Sequence, residues 1–590
     1  MLAADRPFVL IDDAGAGDAA PARLYRDPVE ALTARRPDEV AEVLAAVAAA
    51  RAQGRHVAGW MAYEAGHALE PRLAPLATEG LLAWFGVFDG AERIAPAEMA
   101  GLLPPAEGAW VGEPLPRVTR ADYGIAYAEV QARIRAGDIY QANLTFRADV
   151  PVTGDPRALY AALRGRAAAR WSALVWTGER WLLSLSPELF FRIEGNTITA
   201  RPMKGTVARG EDAAFDRAAA EALAIDPKQR AENLMIVDLL RNDLARVAEP
   251  GSVRVPALFT VETYPTLHTL TSTVTATLAA DKEAADVLAA IFPCGSVTGA
   301  PKIRAQEVIA SVEATPRGVY TGSIGYIEPG GDAAFNVAIR TLDWRPSEPT
   351  ATLGLGSGVV ADSDEEAEWR ECLAKAAFLG GARRRFDLIE TMRFDPEEGL
   401  LRLEAHLARM KASAEALGFA FDRHGARNEL QAATFRLRRA TKVRLLLGRS
   451  GAVAIETGPM PETPAEPMPV ALVRRDLPAD DLRLRHKTSL RGPHDAARAA
   501  GGTAEIVWVD AAGFCTEGSW STLFVERDGR LLTPPLSRGL LPGVLRAELI
   551  EGGEAVEAEL TPADVAGGFW LGNALRGLWR AAVAKDAPPL

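Results

Sequence analysis

The sequence predicts an α/β (α+β) protein made of two unrelated units, and three observations carry that prediction. Its 590 residues exceed what one hydrophobic core usually organises. Strand-like stretches and amphipathic helices follow one another in no repeating order, without an internal repeat. A Gly-Gly and arginine-rich junction at residues 380–385 then separates two such series. On this reading residues 1–378 form the first unit, 379–386 a linker and 387–590 the second.

Within the first unit, residues 181–191 and 351–360 read as strands. The uncharged stretch 263–280 alternates Thr271, Thr273, Thr275 and Thr277, a strand pattern unsuited to a membrane helix. Residues 228–247 place Leu234, Ile236, Val237, Leu240 and Leu244 near helical spacing. Residues 364–378 are helical, with acids early and Lys375 late, the favourable sense for the helix dipole. In the second unit DLIETMRF is a strand and 404–417 a helix. The strand KVRLLL, a Pro-rich hinge at 458–469 and the strands AEIVWVD and STLFVE follow.

Composition excludes several classes of function. There are 66 Lys+Arg against 78 Asp+Glu, a net charge of −12 and a pI near 5.4, without a long basic block to grip nucleic acid. Fractions of 48% hydrophobic and 24% charged residues argue against wholesale disorder. Cys294, Cys372 and Cys515 lie too far apart for a disulfide framework or zinc knuckle. The N-terminal segment shows no targeting pattern, so a cytoplasmic enzyme is expected.

Three islands in the first unit could carry chemistry. Glu188 precedes Lys204, which stands beside Gly205, a pairing that could supply an acid and a nucleophile. Taken alone it is more often a surface turn. Glu232 lies on a helix, where a lone glutamate is usually solvated. Glu368, Glu371 and Lys375 share one helical stripe, and two carboxylates so placed can share Mg²⁺. A surface charge ladder is the commoner outcome.

Joined to GSVTGAPK (residues 295–302), GSIGY (322–326), AIRT (338–341) and GWMAYEAG (59–66), these islands resemble the chorismate-utilising enzymes. The resemblance implies a two-sheet α/β domain that binds chorismate. Relatives that make anthranilate carry alanine at the position of Lys204, whereas the aminodeoxychorismate-forming branch carries lysine. Isochorismate-forming relatives place a water-activating lysine where this chain has Gln141. Implied roles are Lys204 as nucleophile, Glu188 as general acid, and Glu232, Glu368 and Glu371 as Mg²⁺ ligands. Arg340 would grip a substrate carboxylate. Thr206, His268, Thr298, Tyr320, Lys375, Gly356, Ser357 and Gly358 would line the pocket. Some relatives also bind tryptophan near the segment YQANLT. The cysteine contexts lack a G-x-C-x-G turn, so ammonia would come from a separate glutamine amidotransferase subunit, or be taken free.

The second unit carries Lys487 in RHKTSLRG and Glu517 in TEGSWSTLF, with Arg409 in EAHLARM. A lysine able to form a Schiff base is what pyridoxal phosphate needs, a buried glutamate could keep its pyridine nitrogen protonated and an arginine could bind its phosphate. Taken alone, the lysine is more often exposed in a basic loop and His406 a packing residue. The combination resembles the class IV aminotransferases, most closely their aminodeoxychorismate lyase branch, and implies a two-lobed, fold-type IV domain. By that resemblance Lys487 is the Schiff-base lysine, Glu517 pairs the pyridine nitrogen and Arg409 holds the phosphate. Gly543 and Val544 would add backbone donors at a helix N-terminus. Many relatives have asparagine where Thr522 stands, and this unit is shorter than free-standing members. The implied whole is a bifunctional route from chorismate and ammonia to 4-aminobenzoate, for folate synthesis, in a homodimer. The alternatives are an anthranilate-type synthase fused to an amino-acid aminotransferase, and a synthase whose silent second unit recruits the glutaminase.

Overall fold

The computed structural model describes residues 2, 4–15, 19–209, 212–264, 267–382, 385–462 and 467–586. They divide into two compact units. The first comprises Met1–Leu103, Glu113–Val150 and Tyr160–Gly381; the second comprises Pro104–Gly112, Pro151–Leu159 and Ala382–Leu590. Among the described residues no helix is long and apolar enough to cross a membrane.

The first unit contains two facing sheets. The central strands of one are Trp171–Trp176, Trp181–Ser186, Thr341–Trp344 and Thr350–Val359. The other runs from Met203–Ala208 through Leu267–Thr277, Thr197–Arg201, Leu189–Glu194, Ala333–Asn336 and Ser323–Ile327 to His56–Met61. Two-residue alternation decides what each face buries. On His56–Met61, Ala58 and Trp60 enter the core between the sheets, with Val9, Val175 and Leu182 opposite. Val57 and Met61 turn to the other face, where they share a core with Val43, Ile236 and Leu288 from helices.

The expected strand at 181–191 is two strands. Trp181–Ser186 belongs to one sheet and Leu189–Glu194 to the other. Pro187 cannot donate to a ladder, and the chain crosses between sheets there, which sets Glu188 at the crossing. Helix Pro227–Ala245 begins with Asp226 accepting from the Gln229 N–H at 2.9 Å. Its buried stripe is Asn233, Ile236, Val237, Leu240 and Leu244. Leu234, expected on that stripe, lies one step around the helix and is 45% exposed. Asn233 is the anchor, donating to the Leu270 carbonyl at 3.3 Å and accepting from the Ser272 hydroxyl at 2.6 Å. Helix Glu365–Ala374, capped by Asp364, is shorter than expected and passes into a 3₁₀ segment, Ala377–Ala382.

In the second unit, strands Leu388–Asp395, Thr441–Leu447 and Val453–Pro459 form most of a four-stranded sheet. Met392, Leu407, Leu417, Leu430, Leu445 and Leu447 share its core with Trp110, which carries Arg449 at 4.9 Å from its ring centroid. An eight-stranded sheet follows. Its added pairing Glu517↔Thr522 links Cys515–Gly518 to Thr522–Arg527 and closes six strands into a ring.

The Trp110 side chain fills the core of a unit whose other core residues lie far along the chain from it. Trp110→Ala should therefore destabilise that unit by about 3–5 kcal/mol in denaturant unfolding. A loss below about 1 kcal/mol would contradict its core role.

Candidate active sites

In the first unit, strand Met203–Ala208 presents Lys204 and helix Pro227–Ala245 presents Glu232. Lys204 Nζ lies 3.1 Å from Glu232 Oε2. Strand Thr350–Val359 supplies bare backbone beside them. A Cβ on Gly358 would come within 2.6 Å of Lys204 Nζ and 2.8 Å of Gln141 Nε2, so a side chain there would displace both. Gly354 seats the Tyr320 ring, which a Cβ would meet at 2.0 Å. The Gly356 carbonyl accepts from Lys375 Nζ at 2.7 Å.

Glu188 is buried at the sheet crossing, and its Oε1 has no hydrogen-bond partner. Burial pushes its carboxyl up to about 7, against the opposing pull of the Ser296 hydroxyl, the Met203 amide and Lys204. Gln141 Oε1 and Glu368 Oε2 are likewise buried without partners. Buried acceptors of this kind have hydrogen-bonding capacity left to offer a polar ligand.

The three carboxylates expected to bind metal are engaged separately. Glu232 takes Lys204, Glu368 accepts from the Ser363 hydroxyl at 2.7 Å, and Glu371 takes Lys375 at 2.9 Å. The described residues contain no cluster of three or more acidic, histidine or cysteine ligands poised for a cation. His268 is held between Asp216 on Nε2 and Thr263 on Nδ1, each at 2.9 Å. Thr298 is buried and donates to the Gly295 carbonyl at 2.9 Å. Ser357 is buried next to Cys372, whose Sγ lies 3.5 Å from its hydroxyl. Arg340 adopts the left-handed backbone conformation, with φ +50°. Burial presses its guanidinium below the ordinary range, and it makes no ion pair among the described residues. Thr206 lies on Met203–Ala208, but its side chain is outside the described set.

The second unit holds an open-mouthed cavity of about 530 Å³. Lys487, Glu517, Arg409, Gly543, Val544 and Thr522 all line it, so the residues singled out in sequence converge. Lys487 Nζ has no hydrogen-bond or ion-pair partner among the described residues. Burial, reinforced by Arg409, pulls its ammonium down to about 8. Glu517 is buried at the ring closure and accepts from the Leu541 N–H at 3.1 Å. Burial lifts its carboxyl to about 8, despite Arg491 and Arg475.

Arg409 is less free than expected. Its Nε and Nη2 donate to Glu390 at 2.8 and 2.6 Å, and its Nη1 to the Pro542 carbonyl at 3.0 Å. Three of the five guanidinium N–H groups are thus engaged, leaving two for a phosphate. Burial alone would raise Glu390, yet Arg409 and His406 hold it down at about 2. His406, expected to be a packing residue, is buried but also lines the cavity, with Nδ1 2.6 Å from the Glu390 carboxylate that holds Arg409. Gly543 caps helix Val544–Glu551, whose N-terminus faces the cavity.

Sequence reasoning missed the rest of the lining. Lys442, Arg444, Arg483, Arg491, Arg498 and Arg576 join Arg409 and Lys487, giving eight cationic side chains against the two acids Asp495 and Glu517. They come from separated segments and share no local pattern. Glu390 did leave a signal, as an acid at an inward position of an apolar strand. In the cofactor-free chain, amine acylation of Lys487, followed by peptide mass spectrometry, should rise through a midpoint near pH 8. Below that pH the group is ammonium, and above it the nucleophilic amine. A midpoint near an ordinary lysine value would contradict its desolvation.

Residues 6–380 match the family model for chorismate binding enzymes, and residues 387–583 that for class IV amino-transferases. Aminodeoxychorismate synthase component 1 of Klebsiella aerogenes is 46% identical over 259 residues, covering 44% of this chain and 57% of that protein. Anthranilate synthase component 1 of Haloferax volcanii is 38% identical over 304 residues, covering 51% and 58%. The chain thus spans little more than half the length of these relatives. The solved anthranilate synthase component I of Streptococcus pneumoniae superposes with a TM-score of 0.52 at 25% identity, covering 62% of this chain and 93% of that one. The menaquinone-specific isochorismate synthase of Escherichia coli shares the fold, with a TM-score of 0.50 at 20% identity, covering 64% and 89%. With a match running through both sheets and every island of the first unit, the chain belongs to the chorismate binding enzyme family and continues into a class IV amino-transferase unit.

Proposed function

We propose that the chain converts chorismate and ammonia to 4-aminobenzoate in two steps, one in each unit. The observation that carries the reading is Lys204, beside Gly358 and Gln141, within the electrostatic reach of a buried Glu188 whose carboxyl sits near 7. The relatives named for aminodeoxychorismate synthesis point the same way.

In the first step Lys204 Nζ adds to C2 of the ring while the C4 hydroxyl departs. Glu188 gives that hydroxyl its proton, a task suited to a carboxyl that is largely protonated just below neutrality. Attack needs the neutral amine, so the 3.1 Å pair with Glu232 must open first. Ammonia then enters at C4 and expels the lysine, giving 4-amino-4-deoxychorismate. Arg340, without a carboxylate partner among the described residues, would bind one substrate carboxylate. Gln141 cannot serve as the base for water, which supports an amine as the entering nucleophile.

Glu232, Glu368 and Glu371 would supply Mg²⁺ with hard oxygen ligands once Glu232 and Glu371 release Lys204 and Lys375, and Glu368 Oε2 is already unpartnered. Bound there, the cation would anchor the ring carboxylate. Cys294, Cys372 and Cys515 are buried, with thiols raised by that burial to about 12, 11 and 12. Such thiols are poor glutaminase nucleophiles, which supports ammonia delivery by a separate amidotransferase subunit.

In the second unit the lining fits pyridoxal phosphate: an unpaired Lys487, a buried Glu517, and a helix N-terminus with Arg409 for the phosphate. The bound cofactor supplies a carbonyl for the substrate amine and an electron sink. Glu517 would hold the proton at the pyridine nitrogen, and Lys487 Nζ would take the C4 proton. Loss of the enolpyruvyl group as pyruvate then leaves an aromatic ring. A cytoplasmic homodimer is part of the proposal.

The purified chain, given chorismate, ammonium, Mg²⁺ and pyridoxal phosphate, should yield 4-aminobenzoate by chromatography. Anthranilate or isochorismate as product would overturn the reading. Lys487→Ala should stop at aminodeoxychorismate, and Lys204→Ala should lose most chorismate turnover. Glu188→Gln should lower the first step roughly 10²–10⁴-fold. The wild-type first step should fall as pH rises through about 7, because Glu188 then loses the proton it must donate. Chelation of Mg²⁺ should stop chorismate consumption while sparing pyruvate release from added aminodeoxychorismate.

A further inference from the structure

Six arginines line the second-unit cavity, and five are already engaged. Arg409 is held by Glu390, Arg444 by Glu456, Arg483 by Asp481, Arg491 by the Ser519 carbonyl, and Arg498 by Asp495 and the Ser519 hydroxyl. Arg576 differs. Among the described residues its guanidinium has no hydrogen-bond or ion-pair partner, and its Nε is buried and unsatisfied.

This arginine is nevertheless well placed. Its guanidinium lies over the Trp520 ring, 4.6 Å from the centroid, and Trp520 stacks on Trp579 at 5.2 Å with an interplanar angle of 22°. The turn that carries it is fixed by Asn573, whose Oδ1 accepts from the N–H groups of Leu575 and Arg576 at 3.1 and 2.9 Å. Asn573 Nδ2 in turn donates to the Trp520 carbonyl at 3.3 Å, tying turn and stacking platform together. Glu505, the acid whose field reaches Arg576, is occupied by Ser519, Trp520 and Ser521. A planar cation held on an aromatic face, partly buried and without an anion, is suited to a carboxylate.

We infer that Arg576 is a specificity-determining residue of the second unit, binding a carboxylate of the amine substrate. The inference rests on the proposed lyase reading for the identity of that substrate. Cofactor phosphate is the competing anion, but the amides at the start of helix Val544–Glu551 and the two remaining Arg409 N–H groups already offer it donors.

The test uses the full chain loaded with pyridoxal phosphate, as wild type, Arg576→Gln and Arg576→Lys. Binding of 4-aminobenzoate and of aniline is read from perturbation of the cofactor's visible absorption, which reports on this unit alone. Pyruvate release from aminodeoxychorismate gives KM and kcat. Arg576→Gln should weaken 4-aminobenzoate binding and raise KM roughly 10- to 100-fold. Aniline binding and cofactor retention should stay within about twofold of wild type. Arg576→Lys, which keeps the charge but not the fork, should recover part of the loss. An unchanged KM with unchanged 4-aminobenzoate binding overturns the inference. So does loss of the cofactor absorption on dialysis, which would assign Arg576 to the phosphate. A wild-type chain that releases no pyruvate sinks the lyase reading instead, and the comparison of 4-aminobenzoate with aniline then judges Arg576 independently.

Discussion

Burying an ionisable group without a partner costs several kcal/mol unless the group gives up its charge or finds a counter-ion, and both candidate sites are built around that constraint. Glu188, Lys487 and Glu517 take the first course: each is buried and displaced toward its neutral form. Lys204 with Glu232, and Arg409 with Glu390, take the second. The three shifted groups thus lack an ion-pair partner in low dielectric, while Lys204 and Arg409 are each held by a carboxylate. The division follows from chemistry, since a proton donor works best near the pH at which it acts.

Keeping such groups in place falls to backbone that has little freedom of its own. Gly358 admits Lys204 and Gln141 because it lacks a Cβ, and Gly354 does the same for Tyr320. In the second unit Glu505 accepts from the N–H groups of Ile506, Ser519 and Trp520 and from the hydroxyls of Ser519 and Ser521. One carboxylate therefore fixes the segment between the strands that carry Glu517 and Thr522. A buried acid satisfied by so many donors stabilises a single loop geometry, and the loop in turn presents the Ser519 carbonyl to Arg491 and the Trp520 face to Arg576.

What the sequence could reveal depended on locality. Lys204 and Glu188 were legible because each stands in a short run of glycine, proline and charge, and the carboxylates at 368 and 371 because helical spacing is regular. The buried face of Pro227–Ala245 was legible in outline, yet Leu234 was misplaced by one step because apolar character alone does not reveal that Asn233 is the anchor. The break at Pro187 was visible as a residue but not as a change of sheet. Pairings across long separations left no local trace: Glu232 with Lys204, Glu390 with Arg409, and Trp520 beneath Arg576. Trp110, remote in sequence from the core it enters, is the same problem at the scale of a domain.

The net charge of −12 shows why local arrangement outweighs composition. Charges separated by more than about 8–10 Å of electrolyte are largely screened, so the acids spread over the exterior scarcely oppose an anion already inside a cavity. Eight cationic and two acidic side chains line that cavity, but four of the cations are already ion-paired and a fifth, Arg491, is held by a carbonyl before any ligand arrives. The effective attraction is set by the few that are not, Lys487 and Arg576 among them. Pairing five of the eight limits their mutual repulsion, and it leaves Lys442, Lys487 and Arg576 as the positive groups without a hydrogen-bond or ion-pair partner among the described residues.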